Sequence, residues 1–368
     1  MHIRPIAHKD LDTLYEIAVE SGPGFTSLMP DRDALARKIE HSIDSFHRDI
    51  SHPGDEHYLF VLEDELTGAI MGTTGIEAST GHTRPLHHFR RNSVVRHSRD
   101  LGLRRSIETL TRCNHYTGYT EICSLYLRPQ FRRANAGKLL SRVRFVFMAT
   151  HPERFSDTVI AEMRGVSDAS GQSPFWNWIK THFVDMEFAE ATRLVGAGYT
   201  DFINELMPLH PLYTSLMSKE ARSVIGQVHP QTRPALHILK AEGFQYKGLV
   251  DLFDAGPTLE CAMANIRSVR DSASYKVATH SRHFYKHAEL PSRAPLLVAN
   301  TKISDFRATV VDDAQAWLNP ERLTLPASVA DLLGLSDSGI VRALPLDGQH
   351  RRKPDNLEQP QPEIHYAR

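Results

Sequence analysis

Cys123-Ser-Leu-Tyr-Leu-Arg-Pro-Gln-Phe-Arg-Arg-Ala-Asn-Ala-Gly-Lys-Leu-Leu140 is the stretch on which the fold turns. Cys123, Leu125 and Leu127 alternate with Ser124 and Tyr126, the period-two pattern of a strand, and Pro129 ends it. A turn rich in Arg and Ala leads straight into helical spacing at Leu139, Leu140, Val143, Val146 and Phe147. At such a junction the first N–H groups of the helix are unpaired, and with the helix dipole they hold an anion such as a pyrophosphate. Small residues let the backbone come close to the phosphates, and Asn135 tolerates positive φ almost as Gly does. Arg132, Arg133 and Lys138 add positive charge at the rim. An ordinary strand-to-helix turn has the same composition, so the motif alone leaves both readings open.

Outward from this stretch, helices and strands alternate. Ile3 and Ile6 flank Pro5 in an opening strand, and Leu11, Leu14, Tyr15 and Ala18 follow at helical spacing until Ser21-Gly22-Pro23-Gly24 stops the helix. A second helix carries Leu35, Ile39, Ile43 and Phe46, and the runs 58–62 and 69–76 read as a hairpin across the acidic turn Glu63 to Gly68. Residues 158–163 form another strand, and a helix starts at Ser173-Pro174-Phe175-Trp176. Val224-Ile225-Gly226-Gln227-Val228 reads as a strand running into His229-Pro230 and a helix stopped by Gly243, and 249–253 as a strand closing this body near residue 265. Residues 79–118 differ: they hold His82, His87, His88, His97, His115 and many arginines, with little periodicity. A basic irregular segment suits an anionic ligand or an interface, and equally a solvated loop.

Composition excludes whole classes of function. The 43 Lys plus Arg against 44 Asp plus Glu give a formal net charge of -1, which removes the overall basic field behind non-specific nucleic-acid binding. No apolar run approaches the ~20 residues needed to span a bilayer, and the start lacks a signal-peptide core. The three cysteines are too few for a disulfide framework and form no C-x-x-C pair, so a cytoplasmic protein with reduced thiols is expected. Despite 21 histidines there is no metal-binding spacing, and no metal site is expected. Cys123, on an apolar strand, reads as packing rather than as a nucleophile.

The turn resembles the acetyl-coenzyme A signature of the GCN5-related N-acyltransferase superfamily, R/Q-x-x-G-x-G/A after the fourth strand, with Asn135 in place of the first Gly. The Ile-Arg-Pro start and the late helix within Thr232–Phe244, ending in Gly-Phe, are similar to that superfamily too. A closer resemblance, to the arginine N-succinyltransferase family, is carried by blocks in order along the chain. They include Gly22-Pro-Gly-Phe-Thr-Ser-Leu28, Asn114-His-Tyr-Thr-Gly118, Ile160-Ala-Glu-Met-Arg-Gly-Val-Ser-Asp168, Glu205-Leu-Met-Pro208, Val224-Ile-Gly-Gln-Val-His-Pro230 and Phe253-Asp-Ala-Gly-Pro257. Two departures stand out: the family's Gly-Gly-Asn-Gly phosphate turn is Ala134-Asn-Ala-Gly137, and an Asp often found after Cys-Asn is His115.

The resemblance implies an α/β fold, a mixed sheet flanked by helices over residues 1–265, with a small β-rich unit over 266–346. Residues 347–368, with three Pro and few apolar groups, are expected to be a disordered tail. It implies transfer of succinyl from succinyl-CoA, as co-substrate and without a prosthetic group, to the α-amine of L-arginine. Another amine such as ornithine, another acyl-CoA, or a non-catalytic CoA-binding or arginine-sensing protein are the alternatives. His229 matches the family's proton donor and Leu125 its succinyl-CoA contact, through its backbone; Arg132, Asn135 and Gly137 fall on the phosphate turn. The guanidinium calls for a carboxylate, with Glu162 and Asp168 as candidates, and the succinyl carboxylate for Arg90, Arg91 or Arg164. No nucleic-acid or membrane partner is expected; a homo- or hetero-oligomer with a paralogous subunit is compatible with the family.

Overall fold

The computed structural model describes residues 1–22, 25–82, 84–168, 171–196, 198–280, 295–312, 317–318, 322–335 and 339–346; the expected tail from 347 lies outside them. Strand β1 (His2–Pro5), helices α1 (Leu11–Ser21) and α2 (Arg32–His47), and strands β2 (His57–Glu63) and β3 (Ile70–Glu77) come first. Then follow β4 (His88–Ser98), β5 (Leu103–Cys113), β6 (Thr120–Leu127), α3 (Ala136–Thr150) and β7 (Thr158–Glu162). A helical stretch holds α4 (Pro174–Ile179), α5 (Phe188–Gly196), α6 (Asp201–Leu206), β8 (Leu212–Tyr213) and α7 (Lys219–Val224). Next are α8 (Arg233–Glu242), β9 (Gln245–Asp251), β10 (Pro257–Ala262), α9 (Arg267–Asp271) and β11 (Ala273–His280). The chain ends in β12 (Leu296–Asn300), β13 (Ala308–Val311), β14 (Trp317–Leu318), β15 (Arg322–Pro326), α10 (Ala327–Leu332) and β16 (Ile340–Pro345).

Among the described residues the strands make one 16-stranded sheet in the order β14-β15-β11-β16-β12-β13-β1-β2-β3-β6-β7-β10-β9-β4-β5-β8. It is mixed, with β6–β7 and β11–β15 running parallel. The C-terminal strands extend the sheet because β1 pairs with β13 on one side and β2 on the other.

Helix α3 lies on one face, buried nearly all round, which is why its sequence is apolar on more than one stripe. Its Phe147 packs with Phe60 and Phe155, and the helix also meets Leu297, Phe306, Leu344 and Leu346 from the C-terminal segment. Arg142 of α3 reaches Glu242 at 2.9 Å and also donates to the Leu346 carbonyl, while Arg267 and the Ser268 N–H reach the same buried carboxylate at 2.8 Å. On the opposite face α1 and α2 cover Leu59, Val61 and Ile70. Asp31 caps α2 by accepting from the Ala34 N–H at 3.0 Å. Where β1 ends, the hydroxyls of Ser42 and Ser45 on α2 accept from the Leu59 and His57 N–H groups at 2.9 and 3.0 Å, so the helix completes the sheet edge.

Three readings from sequence are corrected. Within 79–118, β4 and β5 form a long hairpin in continuous register from His88↔Cys113 to Ser98↔Leu103. Only His88–Arg90 and Thr109–Leu110 pair with other strands, and the distal part exposes both faces. A period-two apolar pattern arises from burying one face, so this ribbon has none to read. Residues 224–228 are not a strand: Ser218 caps α7, which runs to Val224, Gly226 turns the chain at φ +74°, and Val228 makes only an isolated bridge to Gly165. The last strand of the N-terminal body is not 249–253 but the pair β9–β10, because Asp251 accepts from the Phe253 and Asp254 N–H groups and folds the chain back. β11 and β15, both within the small C-terminal segment, carried no alternation strong enough to be read.

Candidate active site

The site grows from the one place in the centre of the sheet where two neighbouring strands run parallel and part. β6 and β7 pair at Thr120↔Val159 and Glu121↔Ile160, and no pairing beyond these joins them; β7 continues against β10 instead. Ser124, at φ 52°, bulges β6 against β3. The Arg128 N–H donates to Met71 O at 3.0 Å on the β3 side, so strand alternation turns the Leu125 N–H toward the gap between β6 and β7. The Leu125 side chain packs against the main core, as expected of a residue acting through its backbone.

Immediately after β6 comes the turn into α3. Asn135 is the N-cap residue of α3 at φ 68°, ψ -15°, a left-handed conformation that Asn adopts at modest cost, so replacing Gly here keeps the turn. Among the described residues no side chain caps α3; the Ala136 N–H donates to Arg133 O at 3.3 Å, so the N–H groups that follow it in the first turn are the ones an anion would meet. A Cβ on Gly137 would meet only Leu127 Cδ2 at 3.9 Å, so the chain itself does not demand glycine there. Arg133 is paired with Asp64 at 2.7 Å and Arg128 with Glu20, whereas Arg132 is exposed with no ion-pair partner among the described residues.

His229 lies across the gap. Its N–H donates to Arg164 O at 2.9 Å, just past the end of β7, and its ring Nδ1 accepts from the Gln231 N–H at 3.3 Å. The neighbouring Gly165 donates to the buried Asp254 carboxylate at 2.6 Å and approaches so closely that a Cβ would fall 2.5 Å from Asp254 O. Backbone, not side-chain packing, therefore fixes the imidazole. Burial, and then the Arg164 charge, depress the His229 pKa below 6.5, opposed by a hydrogen bond to the Ser167 backbone. Arg164 is half-buried, donates to Ser167 Oγ at 3.1 Å and keeps a buried Nε without a hydrogen-bond partner among the described residues. Arg91, by contrast, is held by Glu108 at 2.8 Å on the exposed hairpin.

Between these elements one face of β6 stays open: Glu121 and Cys123 keep accessible surface there, Ile122 is buried in the core beneath α3, and past the Ser124 bulge the Leu125 side chain turns to that same core. Glu162 of β7 opens into the same trough, its Oε1 2.7 Å from Nε2 of the buried His88. Asp168 does not join it. Asp168 accepts from the Gln172 N–H at 2.9 Å and lines a separate cleft of about 550 Å³ beside Trp178, His182 and Glu220. Burial pushes the Cys123 thiol up to about 12, which keeps it protonated and unsuited to nucleophilic attack. Glu77 and Glu121, also in the trough, are not among the residues the sequence marks; the available signal is a Glu in phase with Cys123. No group of three or more His, Cys, Asp or Glu residues is arranged to hold a metal ion among the described residues.

Comparison with known proteins follows the same outline. The family model described as arginine N-succinyltransferase beta subunit matches residues 1–268. The arginine N-succinyltransferase of Yersinia pseudotuberculosis is 41% identical over 346 residues, covering 94% of this chain and 98% of its own. That of Salmonella typhi is 39% identical over 349 residues, covering 95% and 98%. Among solved structures, subunit AI of the arginine/ornithine succinyltransferase from Pseudomonas aeruginosa superposes with a TM-score of 0.84 at 34% identity, covering 94% of this chain and 99% of that one.

Proposed function

Since the chain belongs to the arginine N-succinyltransferase family, we propose that it joins a succinyl group from succinyl-CoA to the α-amine of L-arginine at the parted ends of β6 and β7. It is an acyltransferase, an arginine N-succinyltransferase. The observation that carries the residue assignment is the convergence of three parts at this one opening: the outward helix start, the Leu125 N–H turned into the gap, and His229 held by Arg164 O. The pyrophosphate of the CoA ester lies against the start of α3, with Asn135, Gly137 and Arg132 around it. The thioester oxygen accepts from the Leu125 N–H, an oxyanion donor fixed before reaction.

The reaction needs a neutral amine, a stabilised oxyanion and a proton for the departing sulfur. His229, neutral near pH 7 because its pKa is depressed, takes a proton from the amine. The amine nitrogen bonds to the carbonyl carbon, the C–S bond breaks, and the imidazolium returns the proton to the CoA thiolate. Arg164, beside His229 and with an Nε that has no hydrogen-bond partner among the described residues, is the cation for the succinyl carboxylate. Of the two carboxylates expected for the guanidinium, Glu162 opens into the trough, whereas Asp168 lines the neighbouring cleft. The Pseudomonas protein's description as a subunit supports an assembly of more than one chain, and its arginine/ornithine description supports a second reading in which ornithine is also accepted.

Thiol release tests the proposal. Succinyl-CoA with arginine should release CoA faster than acetyl-CoA with arginine or succinyl-CoA with ornithine. No release with any amine would leave a CoA-binding protein in its place.

A further inference from the structure

Glu77 of β3 and Glu121 of β6 are in direct antiparallel register, near the middle of the sheet. Residues so placed hold their Cβ atoms about 4.5–5.5 Å apart, and like charges directly opposite destabilise a sheet. Glu162 opens into the trough one row further along β7. Lys38 of α2 acts on both facing carboxylates through space, but it forms no ion pair among the described residues. Burial and the neighbouring carboxylates push both carboxyls up, Glu121 well above the ordinary range. The fold thus keeps two facing acids opposed by the Lys38 charge but held in no ion pair among the described residues.

A second observation lies on the neighbouring strand. His57 stands in register with Glu77 on the next strand, is 6% exposed, and has an Nε2 with no hydrogen-bond partner among the described residues. Its ring leans over Gly75: Cε1 lies 3.5 Å from where a Gly75 Cβ would be, and Cys123 Sγ lies 3.3 Å from that point. A side chain at position 75 would press on both and on Ser124 Cβ at 3.4 Å, so glycine lets His57 and Cys123 close in beside the row that holds the two acids. On the other flank, His88 is fully buried with Nε2 at Glu162.

We infer that Glu77 and Glu121 form the guanidinium seat of the amine substrate, with Glu162 lining the path from the reacting end. This rests on the succinyl transfer proposed above. Glu121 precedes Leu125 by four residues, about 13 Å along a strand. A substrate whose amine meets the thioester near Leu125 sends its three-methylene side chain down the trough, and the glutamate side chains reach up toward its planar end. Two facing carboxylates match the paired N–H donors of a guanidinium better than a point-like ammonium. A shorter diamine ends above them, so the seat selects arginine over ornithine. The cleft at Asp168, with its stacked Trp178–His182 pair, is the competing location.

The test compares arginine with citrulline, which replaces the guanidinium by an uncharged urea of the same shape. Wild type, Glu121→Gln, Glu77→Gln and Asp168→Asn are assayed at saturating succinyl-CoA. In Glu121→Gln, kcat/KM for arginine should fall by about 10²-fold or more, the usual effect of truncating one side of a buried charge pair, while that for citrulline changes little. The arginine-induced rise in Tm should disappear as well, and the unliganded variant should melt at or above wild type, since a like-charge pair is gone. Glu77→Gln, on a different strand, repeats the test if Glu121→Gln folds poorly. Equal loss on arginine and citrulline would make the pair a structural feature and overturn the inference. Collapse of the arginine-to-citrulline ratio in Asp168→Asn instead would move the guanidinium to the cleft and overturn it too. A wild-type protein inactive on arginine would refute the underlying reading, before any variant is compared.

Discussion

At the scale of single residues the chemistry rests on an imidazole whose position is set by main-chain hydrogen bonds. His229→Ala should lower turnover by about 10²–10⁴, the usual contribution of a general acid–base group, and leave affinity for the CoA ester intact; single-turnover rates beside CoA-ester calorimetry check both halves. The pH profile gives an independent reading. With its pKa depressed by burial and by Arg164, His229 should place the acidic limb of kcat/KM below pH 6.5. Removing a neighbouring positive charge favours the imidazolium, so Arg164→Gln should move that limb upward. It should also raise KM for succinyl-CoA more than for acetyl-CoA, if Arg164 meets the succinyl carboxylate. His229 stood out in the sequence only through the block around it, since an isolated histidine among 21 has no local mark of function. Its partner Arg164 was one of three arginines that sequence could not rank. Burial, which no local pattern records, separates it from Arg91, neutralised on the hairpin.

At the scale of elements the strand–turn–helix at 120–150 formed as its periodicity required. The structure explains the departure at Asn135: the position needs a left-handed residue rather than glycine itself. Asn135→Ala should therefore cost about 1–2 kcal/mol by urea unfolding, the penalty for a Cβ residue without a local polar group in that conformation. Gly137→Ala, which meets only Leu127 at 3.9 Å, should leave stability unchanged yet raise KM for the CoA ester. The buried Arg142–Glu242–Arg267 group tying α3, α8 and α9 was invisible in sequence, because its members come from three helices. Although burial pushes the Glu242 carboxyl up, Arg267 and Ser268 hold it below its ordinary value. A lowered folded-state pKa means that its stabilisation is full above the unfolded glutamate value of about 4.3 and is lost as pH falls through the folded value. Glu242→Gln should destabilise by about 3–5 kcal/mol at pH 7, as expected when one partner of a buried ion group is removed, and unfolding curves at pH 7 and pH 4 should converge toward wild type at the lower pH.

At the scale of the whole molecule the sheet is continuous from β14 to β8, and the core beneath α3 is completed by Leu297, Phe306, Leu344 and Leu346. A chain ended after residue 265 should fail to melt cooperatively by circular dichroism, while the full chain gives a single transition through both parts of the sheet. The sequence by itself determined the fold class, the nucleating strand–turn–helix, the helix ends at Gly22 and Gly243, and the blocks that marked the family; each is written in local periodicity, capping or motif. Only the tertiary structure decided that 88–113 is a hairpin whose distal part faces solvent, that 224–228 is a helix end and turn, and that Glu162 and Asp168 face different spaces. It alone brought Glu77, Glu121 and His57 into adjoining strand positions. The physical reason is register: which side chains meet across a sheet depends on pairings between strands far apart in sequence, and those are settled by burying the whole core at once rather than by any segment's own preference.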